Sequence, residues 1–215
     1  MIRVMHVIGS LDRGGAEQIL FSIVKLHAGR VQHTVLSLTK SDEQQSLIEE
    51  LRAAGAEVIC VKLREKSKKS GSFQSLIRVL NGLLQVFKLI KSRQPDILNS
   101  WFYQSDLICG LIGRILNIPV VWGIFLSNLN PKYYKRNTIW AMRVAGWCSK
   151  IFPSSIISCT QEGTRSHLAI GYPKRKINYI PPGIDTTVFS PSGKQKERIR
   201  IKISGENPEY VVGMV

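Results

Sequence analysis

The sequence lacks the short motifs that would assign it a metal, a disulfide framework or an export route. Its four cysteines show no C-x-x-C spacing and stand in apolar surroundings, which predicts buried thiols. The first residues carry no secretory pattern, and the apolar stretch 107–126 is interrupted by Arg114, Asn117 and Pro119, so no membrane span is expected. The sequence therefore predicts a cytoplasmic protein that holds no metal and no cofactor.

Acidic residues are scarce. The chain of 215 residues has 15 Asp and Glu against 30 Lys and Arg, a formal net charge of +15. Much of the excess lies in segment 62–93, here called the basic arm, where nine basic residues face one acid, Glu65. Its helical pattern has an apolar arc wider than a sheet-facing helix needs. This combination predicts peripheral contact with an anionic inner membrane face, and a solvated basic helix face is the alternative. The membrane-surface candidates are Lys66, Lys68, Lys69, Arg78 and Lys88.

The glycines near the start of the chain fit neither common phosphate motif. They stand at 9, 14 and 15, which is not G-x-G-x-x-G, and no Lys-Ser/Thr pair follows, as a P-loop requires. An apolar strand pattern precedes them and a helical pattern follows Gly15. Backbone amides at such a helix start can receive an anion or a hydroxyl-rich ligand, and a tight turn is the alternative interpretation.

Strand and helix patterns alternate along the whole chain, and the length and the 44% hydrophobic content suit one large domain. The strand patterns cover 2–8, 31–39, 58–63, 96–100, 119–124, 155–159 and 177–180. The helix patterns cover 15–28, 43–54, 73–92, 106–116, 132–150 and 161–170. This order predicts an α/β fold with a doubly wound, mostly parallel, Rossmann-like sheet in three α/β/α layers. Ligands of such sheets bind at the carboxyl ends of the strands. The segments after 100 and 124 should therefore share a rim with the loop that contains Gly14 and Gly15, here called the glycine loop.

Five short motifs, in order and at matching spacing, resemble the acceptor-side half of glycosyltransferase family 4. They are GGAE at 14–17, PDI at 95–97 leading into WFYQSDL at 101–107, VWGI at 121–124, GYP at 171–173, and YIPPGID at 179–185 followed by FSP at 189–191. The resemblance implies a GT-B architecture, in which two Rossmann-like domains face each other across a cleft. It assigns 1–191 to the Rossmann-like acceptor-side domain and 192–215 to a linker and the first strand of a truncated donor domain.

The same resemblance implies a function and a set of site residues. The expected enzyme is a retaining glycosyltransferase of cell-surface polysaccharide synthesis, which moves a sugar from a nucleotide-sugar donor to a glycan or lipid-linked acceptor. The 215-residue chain by itself is expected to be inactive. The aromatic run 101–103 is equally typical of core packing at a strand end, and Asp106 of a first-turn helix residue. The candidate substrate-binding residues are Gly14, Gly15, Glu17, Trp101, Tyr103, Gln104, Asp106 and Trp122.

One departure from the family pattern affects the chemistry. Family members usually have a histidine near positions 99–104, where this chain has Asn99, Trp101 and Gln104. Glutamine forms hydrogen bonds but does not transfer protons, so no catalytic residue is assigned.

Two other classes of function remain open. One is a basic module that binds nucleic acid or another polyanion, which the pI of about 9.9 fits. The other is a non-catalytic scaffold descended from such an enzyme. Nucleic acid is not the expected partner, because no recognised binding motif is present.

Overall fold

The computed structural model describes residues 1–39, 46–61, 63, 72–129, 131–134, 136–187 and 190. The chain divides into two compact units, Met1–Pro181 and Pro182–Val215, and all the elements named here belong to the first. The domain boundary expected at 191 stays a prediction. The strands are β1 (Ile2–Ile8), β2 (Val31–Ser37), β3 (Glu57–Cys60), β4 (Ile97–Trp101), β5 (Val120–Ile124), β6 (Ser155–Ser158) and β7 (Ile177–Tyr179). The α-helices are α1 (Gly15–Leu26), α2 (Ile48–Ala53), α3 (Ser72–Arg93), α4 (Tyr103–Leu116), α5 (Arg136–Cys148) and α6 (Gln161–Ala169).

The seven strands form one parallel sheet in the order β3-β2-β1-β4-β5-β6-β7. The strand order reverses between β1 and β4, which pair with Val4 opposite Ile97. The near-continuous apolar runs of these strands are typical of parallel strands that are covered on both faces. The predicted doubly wound sheet is confirmed, and its switch point lies between β1 and β4, where such sheets bind ligands.

Helices cover both faces of the sheet, which confirms the three-layer arrangement. One layer contains α1 and α2, and its core includes Ile8, Leu20 and Leu51. The other contains α3, α4 and α5, whose buried side chains pack with Met5 and Trp122. Neighbouring residues of β1 contribute to opposite cores because successive side chains of a strand point to opposite faces. In the described part of the chain, no helix is both long and apolar enough to cross a membrane.

Several element bounds differ from the sequence prediction. Helix α4 begins three residues earlier than expected, at Tyr103, because Phe102 takes a backbone conformation that starts the helix directly after β4. The expected helix over 132–150 consists of a short 3-10 turn, Pro131–Tyr133, followed by α5. The first part of the helix expected over 43–54 falls on residues outside the described part of the chain.

None of the four cysteines forms a disulfide, and their thiols are not all buried. Cys109 and Cys148 are buried, Cys159 is half-buried and Cys60 is exposed. The prediction of a buried thiol was wrong for Cys60, because this residue ends β3, one of the two edge strands of the sheet. Sequence periodicity cannot tell an edge strand from a central one.

Candidate functional site

A cleft of about 460 Å³ lies at the edge of the sheet where the strands end. Segments that follow β1, β2, β4 and β5 line it, together with side chains of α1 and α5. Its position beside the β1/β4 switch point is the expected ligand position for a doubly wound sheet. The lining residues are Gly9, Ser10, Glu17, Leu38, Thr39, Leu63, Trp101, Phe102, Tyr103, Gln104, Ser105, Leu126, Thr138 and Ala141.

The corner between β4 and α4 carries backbone strain. Phe102 has φ 71° and ψ 156°, a conformation that residues with a side chain rarely adopt. Such strain costs about 1 to 3 kcal/mol and is concentrated at functional sites. The Phe102 ring packs against Phe125, with ring centroids 5.6 Å apart, and its carbonyl accepts the first helical hydrogen bond, from the N–H of Asp106 at 2.9 Å. The corner sends Trp101 to one layer of the fold and Tyr103 to the other.

Trp101 is fixed at the cleft by stacking. Its ring lies parallel to that of Phe125, with centroids 4.7 Å apart and an interplanar angle of 6°. The indole is 2% exposed, and within the described residues its Nε1 has no hydrogen-bond partner. A buried donor without a partner is uncommon in native proteins. Trp101 is therefore packed like a core residue and also lines the cleft, so its position fits both the core-packing and the substrate-binding interpretation of the aromatic run 101–103.

Tyr103 lines the cleft and is held from behind by a histidine. Its hydroxyl lies 2.8 Å from Nε2 of His167, while Nδ1 of His167 lies 2.8 Å from the carbonyl oxygen of Gly163. A carbonyl only accepts, so Nδ1 carries the proton and Nε2 accepts from the Tyr103 hydroxyl. Burial lowers the pKa of His167 to about 4 and raises the pKa of Tyr103. The pair is therefore a neutral hydrogen bond at pH 7 that orients Tyr103.

Asp106 and Trp122 lie inside the fold and do not line the cleft. The hydroxyl of Ser100 donates to Oδ1 of Asp106 at 2.5 Å, and the carboxyl is 3% exposed. Burial raises the pKa of Asp106 well above its usual range. Trp122 has no exposed surface and packs edge-on against Tyr172, with centroids 6.4 Å apart. In this structure both residues support the cleft from below, and neither touches its interior.

The first turn of α1 contributes one side chain to the cleft. Glu17 lines it, and desolvation raises the pKa of its carboxyl. Gly14 and Gly15 are exposed at the start of α1 and are not among the lining residues. Gly14 has φ −157°, which any residue adopts, and a Cβ at Gly15 would meet no atom within 4 Å. The structure therefore gives no steric reason for glycine at Gly15.

Only part of the basic arm can be described. Lys66, Lys68 and Lys69 lie outside the described residues, and the side chain of Arg78 does too. Lys88 is exposed on α3. On the same helix Leu80 is 51% and Leu84 57% exposed, so the apolar arc of α3 does extend to the surface.

Sequence reasoning missed two sets of residues. Ser10, Thr39 and Thr138 bring hydroxyl groups to the cleft. Ser10 follows the predicted strand 2–8 and Thr39 ends the predicted strand 31–39, so the rule that ligands bind at strand ends could have indicated these two. The second set is a buried polar chain across the sheet. Nδ1 of His6 lies 2.9 Å from Oδ1 of Asn99, and its Nε2 lies 3.1 Å from Nδ1 of His33. Burial lowers the pKa of His6 to about 4, so this imidazole is neutral at pH 7.

Comparisons with known proteins agree with this geometry. The family model of Glycosyltransferase Family 4 matches residues 13–188. No curated protein matches the chain in sequence. Among solved structures, HepE of Anabaena in complex with UDP-glucose is 17% identical with a TM-score of 0.69, over 94% of this chain and 50% of that one. A glycosyltransferase from Rickettsia africae is 17% identical with a TM-score of 0.60, over 98% and 51%.

The same fold also occurs in another class of enzyme. UDP-N-acetylglucosamine 2-epimerase from Rickettsia bellii is 12% identical with a TM-score of 0.54, over 85% of this chain and 45% of that one. At these identities the likeness shows the fold alone. The chain spans about half the length of each of these structural relatives.

Proposed function

Because the chain belongs to Glycosyltransferase Family 4, we propose that it is the acceptor-binding half of a retaining glycosyltransferase. The proposed reaction moves a sugar from a nucleotide-sugar donor to a glycan or lipid-linked acceptor during cell-surface polysaccharide synthesis, at the inner face of a membrane. The structure of HepE contains UDP-glucose, and this chain covers half of that protein. The proposal therefore includes a nucleotide-sugar partner that is bound mainly by a second half.

The composition of the cleft is the observation that carries the proposal. Carboxylate, amide and hydroxyl groups stand beside aromatic rings, and this mixture suits a sugar, which has polar edges and apolar ring faces. Among the described residues that line the cleft there is no Lys or Arg, although the chain has 30 of them. A polyanion site would place cations in the groove. The cleft thus favours a neutral, hydroxyl-rich ligand over nucleic acid.

The roles of the lining residues follow from their chemistry. Glu17 accepts hydrogen bonds from sugar hydroxyls, and the amide of Gln104 both donates and accepts. Gln104 cannot transfer a proton, and the carboxyl of Asp106 and the imidazole of His167 are already engaged inside the fold. We therefore assign binding and orientation of the acceptor to this cleft and assign no residue to general acid or base catalysis.

The chain alone is proposed to transfer no sugar. A departing nucleoside diphosphate must be stabilised by positioned cations and amides in a closed site, and the described lining of this cleft supplies no cation. Sugar transfer by the purified 215-residue chain, without any added protein, would contradict this part of the proposal.

Saturation-transfer NMR with a panel of neutral oligosaccharides and detergent-solubilised lipid-linked glycans tests the binding role. We expect saturable binding by the chain, weakened about tenfold by Gln104→Ala or Glu17→Gln, since a hydrogen bond that is lost to a bound ligand costs about 1 to 1.5 kcal/mol. Gln18→Ala and Glu49→Gln are matched controls, because both side chains are exposed and lie outside the cleft. Equal loss in the controls, or no glycan binding at all, would reject the assignment.

A further inference from the structure

Helix α5 presents an exposed stripe in which basic and aromatic side chains alternate. In order these are Arg136, Trp140, Arg143 and Trp147, here called the α5 stripe. The two indoles are 65% and 69% exposed, and both arginines are exposed. At 3.6 residues per turn the four positions fall within an arc of about 60° on the helix.

The opposite face of α5 already secures the helix to the fold. Ala141, Met142, Ala145 and Cys148 are buried in the core that this layer shares with the sheet. The two tryptophans therefore add nothing to that core. Exposed large apolar side chains that cluster on one surface mark an interaction site.

Helix α4, which packs against α5, also has exposed apolar side chains. Leu111 and Ile115, one helical turn apart, are 54% and 61% exposed, and Ile151 just beyond α5 is 54% exposed. Gly110 packs so closely on the Phe152 ring that an added Cβ would lie 2.7 Å from it. This contact packs α4 against the segment that follows α5. The exposed aliphatic side chains and the α5 stripe thus lie on neighbouring helices, and together they are here called the patch.

The charge around this patch has one sign. Residues 107–161 contain six Lys and Arg and no Asp or Glu. Within the described residues, no carboxylate forms a salt bridge with Arg114, Arg136 or Arg143. These guanidinium groups remain available to an anionic partner, and no acidic side chain of this segment would repel it.

We propose that the α5 stripe, with the exposed residues of α4, docks on an anionic lipid bilayer. Trp and Arg are suited to the headgroup region of a bilayer. There an indole ring contacts acyl chains on one side and water on the other, and a guanidinium group binds lipid phosphate. The flanking Leu111, Ile115 and Ile151 suit the acyl boundary. A nucleic acid matches the charge but offers no apolar phase for these aliphatic side chains.

The proposal extends the proposed function and assigns it a membrane contact other than the basic arm. Thr138 and Ala141 of the same helix line the cleft. A lipid-linked acceptor in that bilayer would lie one helix diameter, about 10 Å, from the cleft. Helices α3 and α5 both contact α4, so the helical part of the basic arm that the structure describes lies in the same layer as the α5 stripe.

Intrinsic fluorescence tests the docking directly. The chain has four tryptophans, and Trp101 and Trp122 are 2% and 0% exposed, so only the two stripe tryptophans can meet lipid. With vesicles of phosphatidylcholine and phosphatidylglycerol, we expect a blue-shifted emission that brominated acyl chains quench. Pure phosphatidylcholine vesicles should give little binding, and the variant W140F/W147F should lose the quenching.

Paired substitutions separate the apolar and charged parts of the contact. W140A/W147A should lower the affinity for anionic vesicles about tenfold or more, and R136Q/R143Q should remove most of the preference for anionic lipid. The matched control is K25Q/L26A on α1, in the opposite layer, where Lys25 is exposed and Leu26 is 76% exposed. All three variants replace exposed side chains, so circular dichroism and the melting temperature should not change.

Four results would overturn the proposal. They are no vesicle binding by the wild-type chain, equal binding to neutral and anionic vesicles, unchanged binding and quenching in the stripe variants, and shielding of the stripe tryptophans by self-association in lipid-free solution. The experiment contains no sugar donor or acceptor. Its failure would leave the proposed transfer function untouched, and loss of glycan binding would leave the docking surface untouched.

Discussion

The hydroxyl of Tyr103 donates a 2.8 Å hydrogen bond to Nε2 of His167, a residue 64 positions further along the chain. This bond joins the strained corner after β4 to helix α6. The second imidazole nitrogen is fixed by the Gly163 carbonyl, so the tautomer of His167 is determined. One wall of the cleft is thereby held by a contact between two distant parts of the sequence.

Replacement of Tyr103 by phenylalanine should destabilise the fold. The ring would still fill its site, but Nε2 of His167 would be left buried without a partner, at a cost of about 1 to 3 kcal/mol. Urea denaturation of Tyr103→Phe measures the change. The double variant Y103F/H167L removes both polar partners and should recover part of the loss. Equal stability of Tyr103→Phe and the wild type would show that the bond contributes nothing.

Two buried histidines should make the fold sensitive to acid. Burial lowers the pKa of both His6 and His167 from 6.5 to about 4. Between these pH values the unfolded chain binds protons that the folded chain does not, so stability is complete above pH 6.5 and falls as the pH drops towards 4. Each group contributes about 3 kcal/mol across that window.

The free energy of unfolding at pH 7 and at pH 5 measures this dependence. His6→Gln should reduce it by about half, because the amide keeps hydrogen-bonding capacity without titrating while His167 still titrates. His27→Gln is the control, since His27 is exposed. A pH dependence that is unchanged in His6→Gln would assign the acid sensitivity to other groups.

The order of the elements follows from local sequence, whereas the interior of the site does not. Apolar periodicity is a local property, and it predicted all seven strands and the parallel sheet. Trp122 was expected at the cleft, yet it packs on Tyr172, which is 50 positions away, so its burial is decided by a contact that no short pattern contains. The His6–His33 pair, 27 positions apart, is of the same kind.

The strained corner gives a second example. The sequence prediction began α4 at Asp106, a typical first-turn residue, because Phe-Tyr-Gln carries no helix-start signal. In the structure Phe102 has a positive φ, its ring packs against Phe125 just after the next strand, and the helix starts at Tyr103. Strain of this kind marks a site in the structure but leaves no trace in residue composition.

Gly15→Val tests whether the glycine loop binds a ligand. A Cβ at Gly15 meets no atom within 4 Å, so the variant should fold. Its branched side chain would cover the exposed amides at the start of α1 and should weaken acceptor binding by about tenfold or more. Gly113→Ala is the contrasting variant, because its Cβ would clash with the side chain of Val120. It should lose about 1 to 3 kcal/mol of stability. Normal acceptor binding by Gly15→Val would make the loop a turn only.

The basic arm makes a separate prediction about vesicle binding. Each cation near an anionic surface contributes about 1 kcal/mol, so replacement of Lys66, Lys68, Lys69 and Arg78 by serine should weaken binding at least roughly tenfold. The effect should shrink as salt rises, because the attraction is screened over about 8 Å at physiological ionic strength. Vesicle sedimentation measures the affinity, and circular dichroism checks the fold. If the variant sediments with vesicles as the wild type does, the basic arm is a solvated helix face and not a membrane contact.

Photo-crosslinking tests the central claim most directly, namely that the cleft at the strand ends holds the acceptor. A panel of glycans that carry a diazirine is incubated with the chain, irradiated, and the labelled residues are identified by mass spectrometry. The expected labels fall on segments 9–17 and 101–105 and are competed away by the unmodified glycan. Labels confined to the α5 stripe or to the basic arm, or labelling that only nucleic acid displaces, would contradict an acceptor cleft at this edge of the sheet.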